Sequence, residues 1–262
     1  MGTAELTVPA AGTAEAPRTV HVEHCMGTVF TLDLRDPGRW DAAIAAAVGW
    51  LHHVDAVFST YSDGSDISRM RRGELRLADA DPAVEQVLEL CAQAQARTGG
   101  AFTAMPQGRL DPTGLVKGWA VERASRLLTE HGAVNHAVNG GGDLQLAGSA
   151  GPDRPWVVGI SDPADRRRIA DTVTGRDLAV ATSGTAERGK HILDPLTGRP
   201  ATGLASATVV GPSLTFADAY ATAAFVLGRH ALRWITEIDG YEALLIGSDG
   251  TVSTSRGWRT EW

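Results

Sequence analysis

Cysteine is scarce: 262 residues carry two, Cys25 and Cys91, with no Cys-x-x-Cys pair. That excludes a disulfide framework and a zinc knuckle. Basic residues are in the minority, with 24 Lys and Arg against 31 Asp and Glu, a net charge of −7 and no basic block. A general nucleic-acid binder or a binder of acidic membranes is not expected. One anionic ligand in a locally positive pocket is still compatible with that balance. No apolar run approaches the roughly 18 residues that a membrane span needs. The N-terminal stretch "MGTAELTVPAAGTAEAPRTV" lacks both the basic n-region and the apolar h-region of an export signal, so a cytoplasmic protein is expected. There is no G-x-S-x-G elbow, no H-E-x-x-H and no P-loop. Internal repeats and low-complexity linkers are also missing.

What is present is an ordinary globular composition, 43% hydrophobic and 21% charged, in a chain long enough to bury a large core. Residues 1–18, rich in Ala, Gly, Thr and Pro, read as a flexible tail, and 19–262 as one domain. "TVHVEHCMGTVFTLDLR" (19–35) carries two alternating runs around Gly27, a hairpin or a bulged strand pair. Residues 39–58 have helical periodicity, with Ile44, Ala47, Val48, Leu51, Val54 and Phe58 on one side. Ser65 caps a short helix. "DPAVEQVLELCAQAQARTGG" is a helix capped by Asp81, with Pro82 in its first turn and Gly99-Gly100 as its stop. Its core stripe is Val84, Val87, Leu88, Cys91 and Ala94. A further helix runs from about Leu115 to His131, stopping at Gly132. Strands are expected at 133–138, 144–148, 156–160, 168–174, 177–181, 206–210 and 242–247, and helices at 216–227 and 229–238. Helices and strands alternate without a βαβ rhythm, which predicts an α+β fold.

Several segments could carry chemistry, and each has an ordinary reading beside the functional one. "NGGGDLQLAG" (139–148) brings backbone N–H groups where a phosphate could approach, or is simply a tight turn needing positive φ. Asp218 and Thr222 lie four apart on one helix face, hard oxygen donors suited to Mg²⁺. Against that, Thr215-x-x-Asp218 fits a capping box, and Thr222 could bond back to the carbonyl one turn earlier. Lys117 falls in the first turn of the 115–131 helix, where a lysine opposes the helix dipole unless an anion is bound nearby. It could equally be a solvated surface lysine. His191 in "SGTAERGKHILDPLTGRP" is a candidate general base or a structural strand histidine beside a turn. Ser183 has no partner base indicated other than His191, which makes a serine nucleophile a weak reading.

Taken in order, "MGTVF", "STYSDGSDISRM", "TGGAF", "LDPTGLVKGWAVERA", "NGGGDLQLAG", "ATSGTAERGKHILDPLTGRP" and "TVVGPSLTFADAYATAAFVLG" resemble the ApbE family, the FAD:protein FMN transferases. The resemblance runs from about residue 20 to 250, and its specificity lies in seven motifs in the right order. It implies an α+β fold related to the T-fold, with mixed sheets packed with helices around a flavin cleft. It implies FAD as substrate, Mg²⁺ beside the pyrophosphate, and a partner protein that accepts FMN on a Thr or Ser hydroxyl with release of AMP. Carried over residue by residue, Met26 would line the flavin pocket and Tyr61 would stack near the isoalloxazine ring. Ala101, Phe102, Thr103, Asp111, Lys117 and Ile192 would contact FAD. The Gly114 carbonyl and the Asp218 and Thr222 side chains would hold the metal, and His191 would take the acceptor proton.

The chain departs from the family's pattern in places. Thr103 stands where the family has an aspartate, and Ala221 where some members have a further acidic residue. Seven residues separate "GGAF" from "LDP", where many members carry a longer insertion. Many relatives also carry an export signal. Two further activities follow from the same residues: Mg²⁺-dependent FAD pyrophosphatase activity giving FMN and AMP, or flavin binding without turnover.

Overall fold

The computed structural model describes residues 4–6, 18–185, 192–259 and 261–262. His191 lies outside the described residues. The first hairpin joins β2 (Thr19–Cys25) to β3 (Thr28–Leu34). Met26 and Gly27 have φ of +52° and +68°, the two left-handed residues of a tight hairpin turn whose twist matches that of its strands. The sequence alternatives of hairpin and bulge resolve to the hairpin.

α1 (Asp41–Phe58) buries Ala47, Leu51, Val54 and Phe58 of the expected stripe together with Ala43 and Val57, while Ile44 and Val48 are half-buried. α2 (Asp66–Arg71) starts where the Ser65 side chain accepts the Ser68 N–H. α3 (Pro82–Arg97) is capped by Asp81, which accepts the Ala83 N–H, and its buried residues are Val84, Val87, Cys91 and Ala94. α4 (Thr113–Glu130) and α5 (Leu214–Leu227) are the two helices of the centre. The helix expected at 229–238 is a single α turn, α6 (Ala231–Trp234), between two 3-10 turns.

The remaining strands are β4 (His136–Gly140), β5 (Asp143–Ala147), β6 (Trp156–Ser161), β7 (Ile169–Gly175), β8 (Ala179–Gly184), β9 (Leu204–Gly211), β10 (Glu242–Gly247) and β11 (Val252–Thr254). Within the segment read as a tail, Ala4–Leu6 (β1) pairs with β6. Eight strands form one sheet in the order β11-β10-β9-β8-β5-β4-β3-β2, and β1-β6-β7 form a second. Every pairing between these strands is antiparallel, and an isolated parallel bridge joins Thr174 to Glu261.

Alternation along the strands sorts side chains onto two faces. Val138, Ala179, Ala181, Ala207, Val209, Ala243 and Leu245 join the core shared with the helices. Their neighbours Ala137, Leu144, Leu146, Val180, Val210, Leu244 and Ile246 pack with Trp156, Val158, Ile160 and Val173 of the small sheet. The result is three layers: helices, a large sheet and a small sheet. The site lies on the helical side, where α4 and α5 meet the β5 and β8 strands.

Candidate functional site

The site is assembled where α4 and α5 touch. A Cβ on Gly118 would lie 2.5 Å from the Leu214 carbonyl oxygen and 2.8 Å from Asp218 Cβ, so only glycine permits this approach. The Gly118 N–H then donates to Asp218 Oδ2 at 2.9 Å. Asp218 is therefore turned toward α4 and does not cap its own helix, which overturns the capping-box alternative. The start of α5 is served by Glu122 of α4. Its Oε2 accepts from Ser213 Oγ at 2.7 Å, Thr215 N at 2.9 Å and Thr215 Oγ1 at 2.6 Å. A carboxylate at that position also complements the helix dipole.

One turn further along α5, Thr222 Oγ1 lies 3.1 Å from Ser183 Oγ on β8. Across from it, a Cβ at Gly114 would sit 3.9 Å from Thr222 Oγ1 and 3.2 Å from the Phe102 ring. Gly114, Thr222, Ser183 and Asp218 thus bring backbone, hydroxyl and carboxylate groups together at the first turn of α4. Phe102 is buried and its N–H donates to Thr98 Oγ1 at 3.1 Å, which fixes the ring under Gly114. Ala101 beside it is buried as well. Thr103, in the family's aspartate position, donates from Oγ1 to Gln95 Oε1 and accepts the Met105 N–H, both at 3.1 Å. Ala221 is fully buried.

Lys117 is the positive charge of the cluster. Its ammonium contacts Asp143 Oδ2 directly and lies 3.3 Å from Asp218 Oδ2. These two carboxylates offset its unfavourable place at the helix start. Asp143 follows the Gly141-Gly142 turn, whose φ values of +60° and +96° are those of the tight turn expected in "NGGGD". Asp111, just before α4, accepts from Thr113 N at 3.2 Å and Thr113 Oγ1 at 2.6 Å. Its other oxygen is 3.1 Å from the Arg71 guanidinium, which is also bonded to the Leu110 carbonyl.

Met26, Tyr61 and Ile192 make no hydrogen bond to this polar cluster among the described residues. Met26 is half-buried at the β2–β3 turn, with its N–H on Asp55 Oδ2 at 3.1 Å. Tyr61, after α1, is 93% exposed, which leaves its ring free to stack on a planar group. Ile192 is half-buried and packs against the main core. Neither cysteine is poised as a nucleophile, because burial pushes each thiol up to about 12.

Sequence reasoning did not single out Asp143, Glu122 or Arg71. The signal for Asp143 was an acid at the start of a strand, directly after a glycine turn. For Glu122 it was an acid one position from the buried stripe of α4.

Comparison with known proteins gives a consistent picture. The model of the ApbE family matches residues 26–108 and 103–245. A FAD:protein FMN transferase of Escherichia coli (strain K12) is 26% identical over 239 residues, covering 87% of this chain and 66% of that protein. A FAD:protein FMN transferase of Treponema pallidum (strain Nichols) is 37% identical over 168 residues, covering 57% of this chain and 46% of that protein. The chain therefore spans less than two thirds of the length of these curated relatives. The solved structure of the ApbE protein from Thermotoga maritima superposes with a TM-score of 0.80 at 22% identity, covering 92% of this chain and 97% of that one. That likeness establishes the shared α+β fold.

Proposed function

The chain belongs to the ApbE family, and from that premise we propose that it transfers FMN from FAD to a Thr or Ser hydroxyl of a target protein, releasing AMP. The observation that carries this reading is the convergence of Gly114, Lys117, Asp218 and Thr222 at the junction of α4 and α5. Asp218 and Thr222 supply hard oxygens, and the space beside Gly114 is one that a Cβ would fill, a donor set that fits Mg²⁺. Mg²⁺ would be held by the Gly114 carbonyl and the Asp218 and Thr222 side chains. Once bound, it supplies Lewis-acid neutralisation of the pyrophosphate, worth several kcal/mol.

The chain's own residues do the rest. Lys117 adds a second positive charge beside the phosphates. Asp111, locked by Arg71 and Thr113, gives FAD a rigid polar contact. Ala101, Phe102, Thr103 and Ile192 line the FAD site, Met26 borders the flavin, and the exposed Tyr61 ring covers it. His191 accepts the proton of the attacking hydroxyl, a contribution of roughly 10²–10⁴ in rate. The acceptor oxygen forms a new bond to the FMN phosphorus, the pyrophosphate P–O bond breaks, and AMP leaves with the electron pair. Alignment of these groups for in-line displacement is where the fixed geometry of α4 and α5 matters.

The test is incubation with FAD and Mg²⁺, with and without a threonine-bearing flavoprotein domain. AMP is followed by chromatography and acceptor mass by spectrometry. An acceptor heavier by one FMN, with matching AMP, is expected. Free FMN and AMP with an unmodified acceptor would replace the transferase by a pyrophosphatase. Intact bound FAD and no AMP would leave a flavin binder. His191→Ala is expected to abolish transfer while FAD still binds.

A further inference from the structure

Asp143 is held in an unusual way. It is buried, at 1% exposure, as the first residue of β5. Its Oδ1 accepts the Thr182 N–H at 3.0 Å, which ties β5 to β8 just ahead of Ser183. Its Oδ2 has no other hydrogen-bond donor among the described residues and faces the Lys117 ammonium. The same ammonium reaches Asp218 Oδ2 at 3.3 Å. One cation is therefore shared by two carboxylates, whose side chains are 2% and 7% exposed.

The sharing has a consequence for metal binding. Asp218 Oδ2 already accepts the Gly118 N–H. An ammonium settled fully on Asp218 would occupy its remaining lone-pair directions and repel a divalent cation at the same oxygens. An ammonium drawn toward Asp143 leaves Asp218 open. Lys117 rises from α4, and Asp143 and Asp218 flank it from β5 and α5, so the balance between the two anions sets where the charge rests. We infer that Asp143 is a positioning residue that draws the Lys117 ammonium off Asp218 and so keeps Asp218 available to a divalent cation. This rests on the reading of Asp218 as a metal ligand given above.

A purely structural role for Asp143 makes a different prediction. Asp143→Asn keeps the volume and the acceptor for Thr182 but loses the charge that holds Lys117. Mn²⁺ binding without FAD, followed by electron paramagnetic resonance of the free ion, reads the difference directly. In Asp143→Asn, Lys117 moves onto Asp218 and Mn²⁺ affinity falls by about tenfold, within the range for groups in direct contact. Lys117→Met alone tightens Mn²⁺ binding. The double variant, which removes one charge of each sign and leaves the net charge of the cluster as it was, recovers the affinity that Asp143→Asn loses.

Unchanged affinity in Asp143→Asn would overturn the inference. So would a double variant as weak as Asp143→Asn, because Asp143 would then act through the strand or on the metal itself. If Asp143→Asn does not fold, Lys117→Met still decides: weaker or unchanged Mn²⁺ binding would overturn the inference. The functional reading fails separately. A wild-type protein that binds Mn²⁺ with this pattern but releases no AMP from FAD keeps the positioning role and loses the transferase. A wild-type protein that binds no Mn²⁺ at millimolar concentration loses the Mg²⁺ site and the inference together.

Discussion

His136 is fully buried between α4 and the large sheet. Its Nδ1 bonds the Ala133 carbonyl at 2.8 Å, and its Nε2 meets Ser125 Oγ at 2.7 Å. With Nδ1 carrying the proton, Nε2 accepts from the serine, and the neutral ring is satisfied at both nitrogens. Burial pushes its pKa below 6.5, against smaller opposing effects of these bonds and of Asp36 and Asp177. The unfolded chain thus takes up the proton at a higher pH than the folded one. Stability is complete above about pH 6.5 and falls as the pH drops from there toward the depressed folded value. Urea midpoints measured between pH 5 and 8, roughly the span of histidine titration, should show this slope in the wild type and a flatter one in His136→Gln. Equal slopes would show that other groups control the acid limb. Asp33 shows the opposite resolution. Burial alone would raise its pKa, but bonds from Arg35 and Arg18 outweigh that and hold the carboxyl below its usual range. Such residue-level outcomes were not legible in the sequence, because a histidine or aspartate looks the same there whether its partners are water or a folded neighbour.

The junction of α4 and α5 carries the site, and its two helices differ in how they were foreshadowed. The helical reading from about Leu115 to the Gly132 stop marked α4, and the one at 216–227 marked α5. Their contact was hidden, because Gly118 and Asp218 are 100 positions apart. The capping-box reading of Thr215 and Asp218 failed for the same reason. Local spacing offered Asp218 as the cap, but Glu122, 93 positions before Thr215, takes that role. Freed from the helix start, Asp218 turns to the site. The tertiary cap should therefore control both stability and metal binding. Glu122→Ala strands the buried Thr215 hydroxyl and N–H and is expected to cost about 2–3 kcal/mol, the scale of charge-assisted hydrogen bonds. Amide exchange at Thr215 should rise by more than the loss of global stability read from amides in β10, and Mn²⁺ affinity should fall. Faster exchange spread evenly over the chain would mean that Glu122 contributes bulk stability without a specific hold on α5.

At the scale of the molecule, the large sheet is covered on both faces, by helices on one and by β1, β6 and β7 on the other. Alternation in the strands foretold two-sided burial only weakly, because neighbours on opposite faces, such as Val209 and Val210 on β9, are both apolar. The family match covers β6 and β7 of the small sheet, which carry none of the candidate site residues, and begins after β1. The anchor of the small sheet is Trp156, 1% exposed, with its indole N–H on the Ala147 carbonyl at 3.0 Å and the Arg35 guanidinium 5.1 Å from its ring centre. Arg35 in turn is bonded to Asp33, so this tryptophan ties the small sheet to β3 and β5 at once. Trp156→Ala removes a large buried ring and is expected to cost about 3–5 kcal/mol. If the second core supports the sheet without shaping the site, the folded fraction of this variant should bind Mn²⁺ with wild-type affinity while its urea midpoint falls. Far-ultraviolet and near-ultraviolet dichroism should lose signal together, since the two cores share one sheet and neither face can be exposed alone. Weakened Mn²⁺ binding under folded conditions would instead mean that the strand positions of Asp143 and Ser183 are set from behind the sheet, making the small sheet part of the machinery that aligns the site.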